Sequence, residues 1–201
     1  RCSGAEKSYD ITENDIILVG TPLYHSISQR LVLLPLITGG TSVIMHKFTP
    51  KKWLTQIEKH QVSFTIAVSS QLENILRELK DTKADLSSLR SIVSCCALLK
   101  NDIKIRLIEE MKCDFHECYG TAEVGVVSNL SPKDFVKKFH TVGKEVPGVV
   151  IKITDSQKNP VAIGEIGEIA CKSSMSFSRY YMNDLATQQS LKNGFFYTGD
   201  M

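Results

Sequence analysis

Between residues 15 and 117, apolar runs of strand length alternate with longer amphipathic stretches, and this alternation restricts the fold more than any other feature. Asp15-Ile16-Ile17-Leu18-Val19-Gly20 reads as a short buried strand ending at Gly20. Thr21-Pro22-Leu23-Tyr24-His25-Ser26 follows as a loop at that strand's end. Ile27 to Thr38 then reads as an apolar helix, bent at Pro35 and closed by Gly39-Gly40. Thr41 to His46 is the next strand, and Thr49-Pro50 caps a helix through His60 that turns Trp53, Leu54 and Ile57 to one face. Phe64 to Val68 is a strand, and Ser69-Ser70 starts a helix carrying Leu72, Ile75, Leu76 and Leu79. The polar connection Asp81 to Ser88 leads to a strand, Leu89 to Ser94. A helix, Lys100 to Met111, follows with Ile103, Leu107 and Ile108 inward, and then a strand, Asp114 to Glu117. Connections of this length do not make hairpins, and strands apolar on both faces need cover on both sides. The expectation is an α/β fold with a mainly parallel, doubly wound sheet.

After about Leu130 the pattern changes. Ser131-Pro132-Lys133 starts a short helix through Phe139. Glycine-rich turns then separate short strands: Val149 to Thr154, a turn near Asn159-Pro160, and Gly164 to Ala170. Asn193-Gly194 marks a hairpin turn into Phe195-Phe196-Tyr197. These features predict a small antiparallel, barrel-like β element. The expected division is therefore an α/β subdomain over residues 1–130 and a partial β-rich subdomain over 131–201.

Charge and cysteine usage exclude several functions. A net charge of +2 is too small to imply nucleic acid. Lys133, Lys137 and Lys138 form the local basic cluster, read as a solvated helix face. Leu31 to Ile37 is too short to span a bilayer, which predicts no transmembrane segment. The polar opening, Arg1 to Asp10, predicts no signal peptide. The six cysteines contain no Cys-x-x-Cys pair. Cys113-x-x-His116-x-Cys118 has metal-like spacing, but on a strand His116 and Cys118 share one face and Cys113 takes the other. Buried free thiols in a reducing cytoplasm are the favoured reading.

The chemistry concentrates in Cys118-Tyr119-Gly120-Thr121-Ala122-Glu123, at the end of an expected buried strand, where open parallel sheets bind ligands. An aromatic ring can stack on a base, and a glycine lets backbone approach a ligand. A threonine hydroxyl can bond phosphate, and a glutamate can hold Mg²⁺. A strand-end turn with an ordinary solvated glutamate explains the same residues. His25 sits where a ligand could lie, although a lone histidine is more often a hydrogen-bonded structural residue. No Walker loop, strand-following GxGxxG or GxSxG elbow is present, which removes the commonest phosphate-loop and serine-hydrolase readings.

Six segments occur in one order: Thr-Pro-Leu-Tyr-His at 21–25, Ser-Cys-Cys-Ala-Leu-Leu at 94–99, Tyr-Gly-Thr-Ala-Glu at 119–123, Val-Gly-Lys-Glu-Val-Pro-Gly at 142–148, Gly-Glu-Ile-Gly-Glu-Ile at 164–169 and Tyr-Thr-Gly-Asp at 197–200. The series resembles the adenylate-forming superfamily of acyl-CoA synthetases, peptide synthetase adenylation domains and firefly luciferase. The resemblance implies that Tyr119 stacks on adenine, Thr121 contacts phosphate, Glu123 holds Mg²⁺ and Asp200 bonds the ribose hydroxyls, with Gly120 in the same nucleotide-binding segment. His25 would lie near the acyl pocket, and Gly143 on its approach. The segment containing Cys95, Cys96 and Ala97 matches a Gly-Gly-Ala-Pro-Leu stretch whose backbone flanks the adenine. Cysteines stand here for both glycines, so their side chains could crowd that approach.

The implied reaction has two steps. A small carboxylic acid attacks the α-phosphate of ATP, giving an acyl-adenylate and pyrophosphate. A thiol, commonly of coenzyme A, then displaces AMP. The family's phosphate loop would precede Pro22 and its C-terminal domain would follow Asp200. The chain therefore reads as a central fragment of the N-terminal domain, inactive by itself. A carrier-protein thiol as acceptor, or a non-catalytic nucleotide-binding or interaction module of the same fold, are the alternatives. Small or apolar residues at 27–33, 68–70 and 124–128 favour an apolar acyl group, as in fatty acid metabolism, or an aromatic acid.

Overall fold

The computed structural model describes residues 2–201; Arg1, which opens the polar N-terminal segment, lies outside the described residues. Two compact units divide the chain. The first runs to Cys118 and includes Asn129–Gly143; the second comprises Tyr119–Ser128 and Lys144–Met201.

The alternation in the sequence becomes α1 (Cys2–Ser8), β1 (Ile16–Val19), α2 (Ser26–Thr38), β2 (Thr41–Ile44), α3 (Pro50–His60), β3 (Phe64–Val68), α4 (Ser69–Glu78), β4 (Ser91–Cys95), α5 (Asn101–Met111) and β5 (Asp114–Thr121). Helix α1 lies in the segment that sequence had marked only as polar. It is seven residues long and buries Ala5, with Tyr9 just beyond it. Strands β1 to β5 are parallel, in the spatial order β2-β1-β3-β4-β5. Side chains alternate across this sheet with the period of two that a strand imposes. Leu18, Ala67, Ile92 and Phe115 pack with Trp53, Leu54, Leu72, Leu76 and Leu107 from α3, α4 and α5. Ile17, Val19, Phe64, Ile66 and Val93 pack with Leu31, Leu34 and Ala5 from α2 and α1. The sheet is doubly wound, as expected.

Two local choices explain helix limits, and a third ties strands together. Thr49 accepts from the Lys52 N–H at 3.2 Å and Pro50 occupies the first turn, so α3 begins where the sequence placed it. Gly39 ends α2 in the left-handed conformation, φ 85°, with its N–H bonded to the Pro35 carbonyl at 2.8 Å. At the N-terminal edge of β1, buried Asp15 receives Arg90 Nε at 2.8 Å and the Ser63 hydroxyl at 2.6 Å. This carboxylate ties β1 to the starts of β3 and β4.

Burial raises the Asp15 carboxyl pKa, but the hydrogen bonds from Arg90, Ser63 and the Thr12 N–H outweigh burial and hold it below its ordinary value. A depressed folded-state pKa contributes stability above the unfolded value of about 3.9, and that contribution is lost as pH falls through the folded value. Arg90→Ala is therefore expected to cost about 2 kcal/mol at pH 7, with the gap from wild type closing below about pH 4. Urea midpoints measured across that range check it.

The C-terminal part contains β6 (Gly125–Leu130), α6 (Pro132–Lys138), β7 (Lys144–Glu145), β8 (Val149–Thr154), β9 (Glu168–Ser173), α7 (Asp184–Ser190), β10 (Leu191–Lys192) and β11 (Phe195–Tyr197). Strands β6 and β7 continue the sheet order beyond β5. The α6 lysines 133, 137 and 138 are exposed, as a solvated face requires. The second unit holds a separate antiparallel sheet of four strands, order β10-β11-β9-β8. Asn193 at φ 51° and Gly194 at φ 76° form the two-residue turn between β10 and β11. Both central residues of a type I′ turn need positive φ, which is why Asn-Gly predicted it. Val124, Val127, Val146, Val149, Cys171 and Phe196 make this unit's core. Among the described residues, no helix is long and apolar enough to cross a membrane.

Candidate active site

The strand order of the first unit fixes where a ligand can sit. From β1 the chain crosses by α2 to β2 on one side; from β3 it crosses by α4 to β4 on the other. Connections leave adjacent strands β1 and β3 in opposite directions, so their carboxyl ends bound a crevice, the topological switch point of an open sheet. A cavity of about 530 Å³ lies there. Thr21, Pro22, His25 and Ile27 line it after β1, Val68 to Gln71 after β3, and Cys96 and Ala97 after β4. Its size falls in the roughly 300–1,000 Å³ range of small-molecule sites.

Polar contacts hold these walls. Gln71 Nε2 donates to the Gly20 carbonyl at 3.3 Å, and Gln71 Oε1 accepts from the Val68 N–H at 3.3 Å, joining the start of α4 to the end of β1. Ser28 and Thr21 share a hydroxyl hydrogen bond, and Ser28 Oγ also donates to the Thr21 carbonyl at 2.9 Å. His25 is the N-cap residue of α2, exposed, with no side-chain capping bond. Its ring packs against Tyr24 at 4.4 Å between centroids. The imidazole is thus positioned at the cavity wall instead of being spent on the helix end.

Cys96 and Ala97, in the stretch 95–99 at the end of β4, form the third wall. Ser69 Oγ donates to the Ala97 carbonyl at 2.6 Å. Glu117 accepts from the Leu99 N–H at 3.3 Å and is ion-paired to Lys104, whose Nζ also donates to the Phe139 carbonyl at 2.9 Å. Lys104 is fully buried and Glu117 is 1% exposed. Neither residue was selected from sequence. The signal was present: Lys104, Leu107 and Met111 fall at i, i+3 and i+7, so the lysine stands on the buried stripe of α5.

The two cysteines behave differently. Cys95 closes β4 and is buried, its Sγ 3.7 Å from the Ala67 carbonyl oxygen. Its side chain is therefore in the core and does not crowd the cavity. Cys96 is exposed and adopts φ 73°, the left-handed region in which glycine is the comfortable residue. All six cysteines are free thiols, but only Cys95 and Cys171 are buried. His116 and Cys118 do share a face: His116 packs edge-on against Tyr9 at 5.1 Å and bonds Asn129, while Cys113 packs with the opposite cluster. Burial pushes the His116 pKa down. Among the described residues, no group of three or more His, Cys, Asp or Glu side chains is placed to hold a metal. Gly143 has φ 81° and packs on the Asn129 backbone, where a Cβ would lie 2.0 Å from the carbonyl oxygen.

The second unit carries the other candidate residues. Strand β5 runs through Thr121, so Tyr119, Gly120 and Thr121 are strand residues and not a loop after Glu117; the turn is Ala122 to Val124. That turn is much too short for a parallel crossover, so β5 and β6 form a hairpin. Tyr119 donates its hydroxyl to Asp200 Oδ2 at 2.6 Å, across 81 positions of sequence. Burial and the Asp200 carboxylate together push the Tyr119 pKa up, so the phenol stays protonated as the donor. Asp200 is held by its own backbone: its N–H donates to Thr198 Oγ1 at 3.1 Å, and its carbonyl accepts from the Ile169 N–H at 2.8 Å. Thr121 Oγ1 accepts the Val124 N–H at 3.3 Å, which leaves its hydroxyl proton to donate. Glu123 Oε1 accepts the Tyr180 hydroxyl at 2.9 Å. Burial, then that carboxylate, raises the Tyr180 pKa. Tyr180 is a second functional candidate that sequence did not suggest.

Glu123 suits Mg²⁺ by donor chemistry. The ion prefers hard oxygens in octahedral geometry and is commonly held by one or two carboxylates plus substrate phosphates. A glutamate oriented by a tyrosine hydroxyl fits that pattern.

A family model described as AMP-binding enzyme matches residues 2–181. The 2-succinylbenzoate–CoA ligase of Bacillus velezensis is 33% identical over 196 residues, covering 95% of this chain and 38% of that protein. The indoleacetate–CoA ligase of Aromatoleum aromaticum is 27% identical over 195 residues, covering 96% of this chain and 38% of that protein. Among solved structures, o-succinylbenzoate coenzyme A synthetase from Bacillus subtilis in complex with ATP and magnesium ion superposes with a TM-score of 0.89 at 26% identity, over 98% of this chain and 41% of that one. An amide bond synthetase from Marinactinospora thermotolerans gives 0.90 at 26% identity over 98% of this chain and 41% of that one. This chain thus spans about two-fifths of the length of these proteins. The parallel sheet with its switch-point crevice, the separate antiparallel sheet and the family match over residues 2–181 lead to one statement: the chain belongs to the AMP-binding enzyme family of adenylate-forming proteins.

Proposed function

We propose that this chain is the nucleotide- and acid-holding part of an ATP-dependent acid–thiol ligase, which forms an acyl-adenylate and then an acyl-CoA thioester. The observation that carries this reading is the Tyr119–Asp200 hydrogen bond. It sets an aromatic ring, able to stack on adenine, beside a carboxylate able to accept from the ribose hydroxyls. Nothing in a purely structural turn calls for that pair.

In this reading the second unit takes the nucleotide. Tyr119 packs on the base, Asp200 orients the ribose, and the Thr121 hydroxyl donates to a phosphate oxygen. Glu123 would hold Mg²⁺, which when bound offsets charge developing on the phosphates. The first-unit cavity takes the acid. Pro22, Ile27, Val68 and Ala97 give it apolar walls for an acyl or aryl group. The first-turn N–H groups of α4, which have no acceptor within the helix, favour a carboxylate there. His25 donates to oxygen at the same wall. Orientation of carboxylate and α-phosphate supplies the rate advantage, since the bond-forming step needs little covalent help from protein. The relatives named for indoleacetate and 2-succinylbenzoate are aromatic-acid ligases, and an aromatic acid fits such walls.

Calorimetric titration with a non-hydrolysable acyl-sulfamoyl-adenosine tests the reading. Wild type is expected to bind, and Asp200→Ala to bind about 30-fold more weakly, the loss of a charge-assisted hydrogen bond of about 2 kcal/mol. Equal affinities of wild type and Asp200→Ala, or no heat with either, would sink it.

A further inference from the structure

One segment of the sequence, Gly164-Glu165-Ile166-Gly167-Glu168-Ile169, has no part in the reaction proposed above. Gly167 lies where β9 begins against the end of β8: a Cβ there would stand 2.5 Å from the Thr154 carbonyl oxygen. That close approach pairs Glu168 with Thr154, beside the tight turn 155–159. The turn is closed by the Asp155 N–H on the Asn159 carbonyl at 2.9 Å and the Lys158 N–H on the Asp155 carbonyl at 3.0 Å. Lys158 is ion-paired with Glu168, and its Nζ also sits 4.3 Å from the centroid of the Tyr197 ring.

The other end of Glu168 reaches the stretch that carries Asp200. Regular pairing of β9 with β11 ends at Ala170 and Tyr197. Beyond it the Thr198 N–H donates to the Ile169 carbonyl at 3.1 Å, and the Ile169 N–H donates to the Asp200 carbonyl at 2.8 Å. One residue of β9 thus bonds both ends of a three-residue stretch, which bulges with Gly199 at φ 79° in its middle. The Gly199 N–H donates to Glu168 Oε1 at 3.0 Å instead of to a ladder carbonyl. The Asp200 N–H bonds Thr198 Oγ1 at 3.1 Å, so both amides inside the bulge are held. Lys158 supplies the counter-charge for a second carboxylate so close to the Asp200 backbone.

We propose that Glu168, backed by Lys158, is a positioning residue for Asp200: it locks the 198–200 bulge and thereby sets how strongly the chain prefers a ribose to a sugar without its hydroxyls. This role rests on the reading of Asp200 as the ribose-holding residue. A carboxylate accepts from two neighbouring hydroxyls only while its own backbone is fixed, and binding loses strength if each encounter must first order it. Tyr119 fixes Asp200 at the side chain, and Glu168 fixes it from the backbone. A glutamate kept only to stabilise the sheet would serve as well on the ladder, but this one is bonded outside it, one residue from Asp200.

Calorimetric titration with the acyl-sulfamoyl-adenosine and with its 2′,3′-dideoxy counterpart tests the role. Wild type is expected to prefer the ribose compound about 30-fold. Glu168→Ala is expected to cut that preference to about 5-fold while its affinity for the dideoxy compound stays within about twofold of wild type. Glu168→Gln, which keeps an acceptor oxygen for the Gly199 N–H, should retain most of the preference. Lys158→Met is expected to lower it about twofold, since the ion pair is partly exposed. Amide exchange in wild type needs no variant: the Gly199 N–H should exchange at least about 10-fold more slowly than in an unstructured chain. A full preference in Glu168→Ala, an equal weakening of both compounds, or exchange of Gly199 at the unstructured rate would overturn the role of Glu168 and leave the function proposed above standing. An unchanged preference in Lys158→Met would overturn the part given to Lys158. No preference in wild type would instead remove Asp200 from the ribose, and the role of Glu168 with it.

Discussion

Lys104→Met is expected to lower the stability of this chain by about 3–5 kcal/mol, because it leaves the Glu117 carboxylate buried without its counter-charge. Two charges taken out of water are costly, and mutual attraction repays that cost only while both are present. Removing the lysine also frees the Phe139 carbonyl. The double variant Lys104→Met, Glu117→Gln removes both charges, yet its amide oxygen can still accept the Leu99 N–H. It is expected to recover more than half of the loss. Urea unfolding of wild type, both single variants and the double variant measures the coupling directly. A single-variant loss under about 1 kcal/mol would show that water reaches the pair and that it does not hold the 95–99 wall.

The pair also shows where sequence reasoning stops. Strand and helix identities came from period and caps, which are local: Phe64 to Val68, Pro50 to His60 and the Asn193-Gly194 turn are found where those signals put them. Helix α1 was missed because seven residues with a buried alanine at position 5 carry too little periodicity to register. Lys104 drew no attention because lysine is seldom buried, although its place on the stripe with Leu107 and Met111 marks it as inward. The Cys95-Cys96 pair was read as one obstacle. Whether either side chain crowds the cavity depends on backbone conformation: Cys95 ends a strand and faces the core, while Cys96 turns at positive φ toward the cavity. Tyr119 stood out in its strand-end segment, but Asp200 and its association with Tyr119 came through resemblance, since no local pattern joins positions so far apart. Tyr180 belonged to no motif and is linked to Glu123 only by folding.

The residue at which fold and function are hardest to separate is Gly120, between the tyrosine and the threonine of the motif. Sequence suggested a glycine that lets backbone approach a ligand. A Cβ built at 120 would lie 2.2 Å from the Gly125 carbonyl oxygen and 2.9 Å from the Val126 Cα, both on the backbone of β6. Backbone in a paired strand cannot move aside as a flexible side-chain tip can, so the hairpin itself demands glycine here. Gly120→Ala is expected to cost about 3 kcal/mol by forcing the two strands apart. The displacement would act on Tyr119 and Thr121, on either side of the substitution. Thermal unfolding should therefore show a clear loss of stability, and the chain that remains folded should bind the acyl-sulfamoyl-adenosine more weakly than wild type. Stability within about 0.5 kcal/mol of wild type, with binding reduced all the same, would restore the reading of a glycine kept for its ligand.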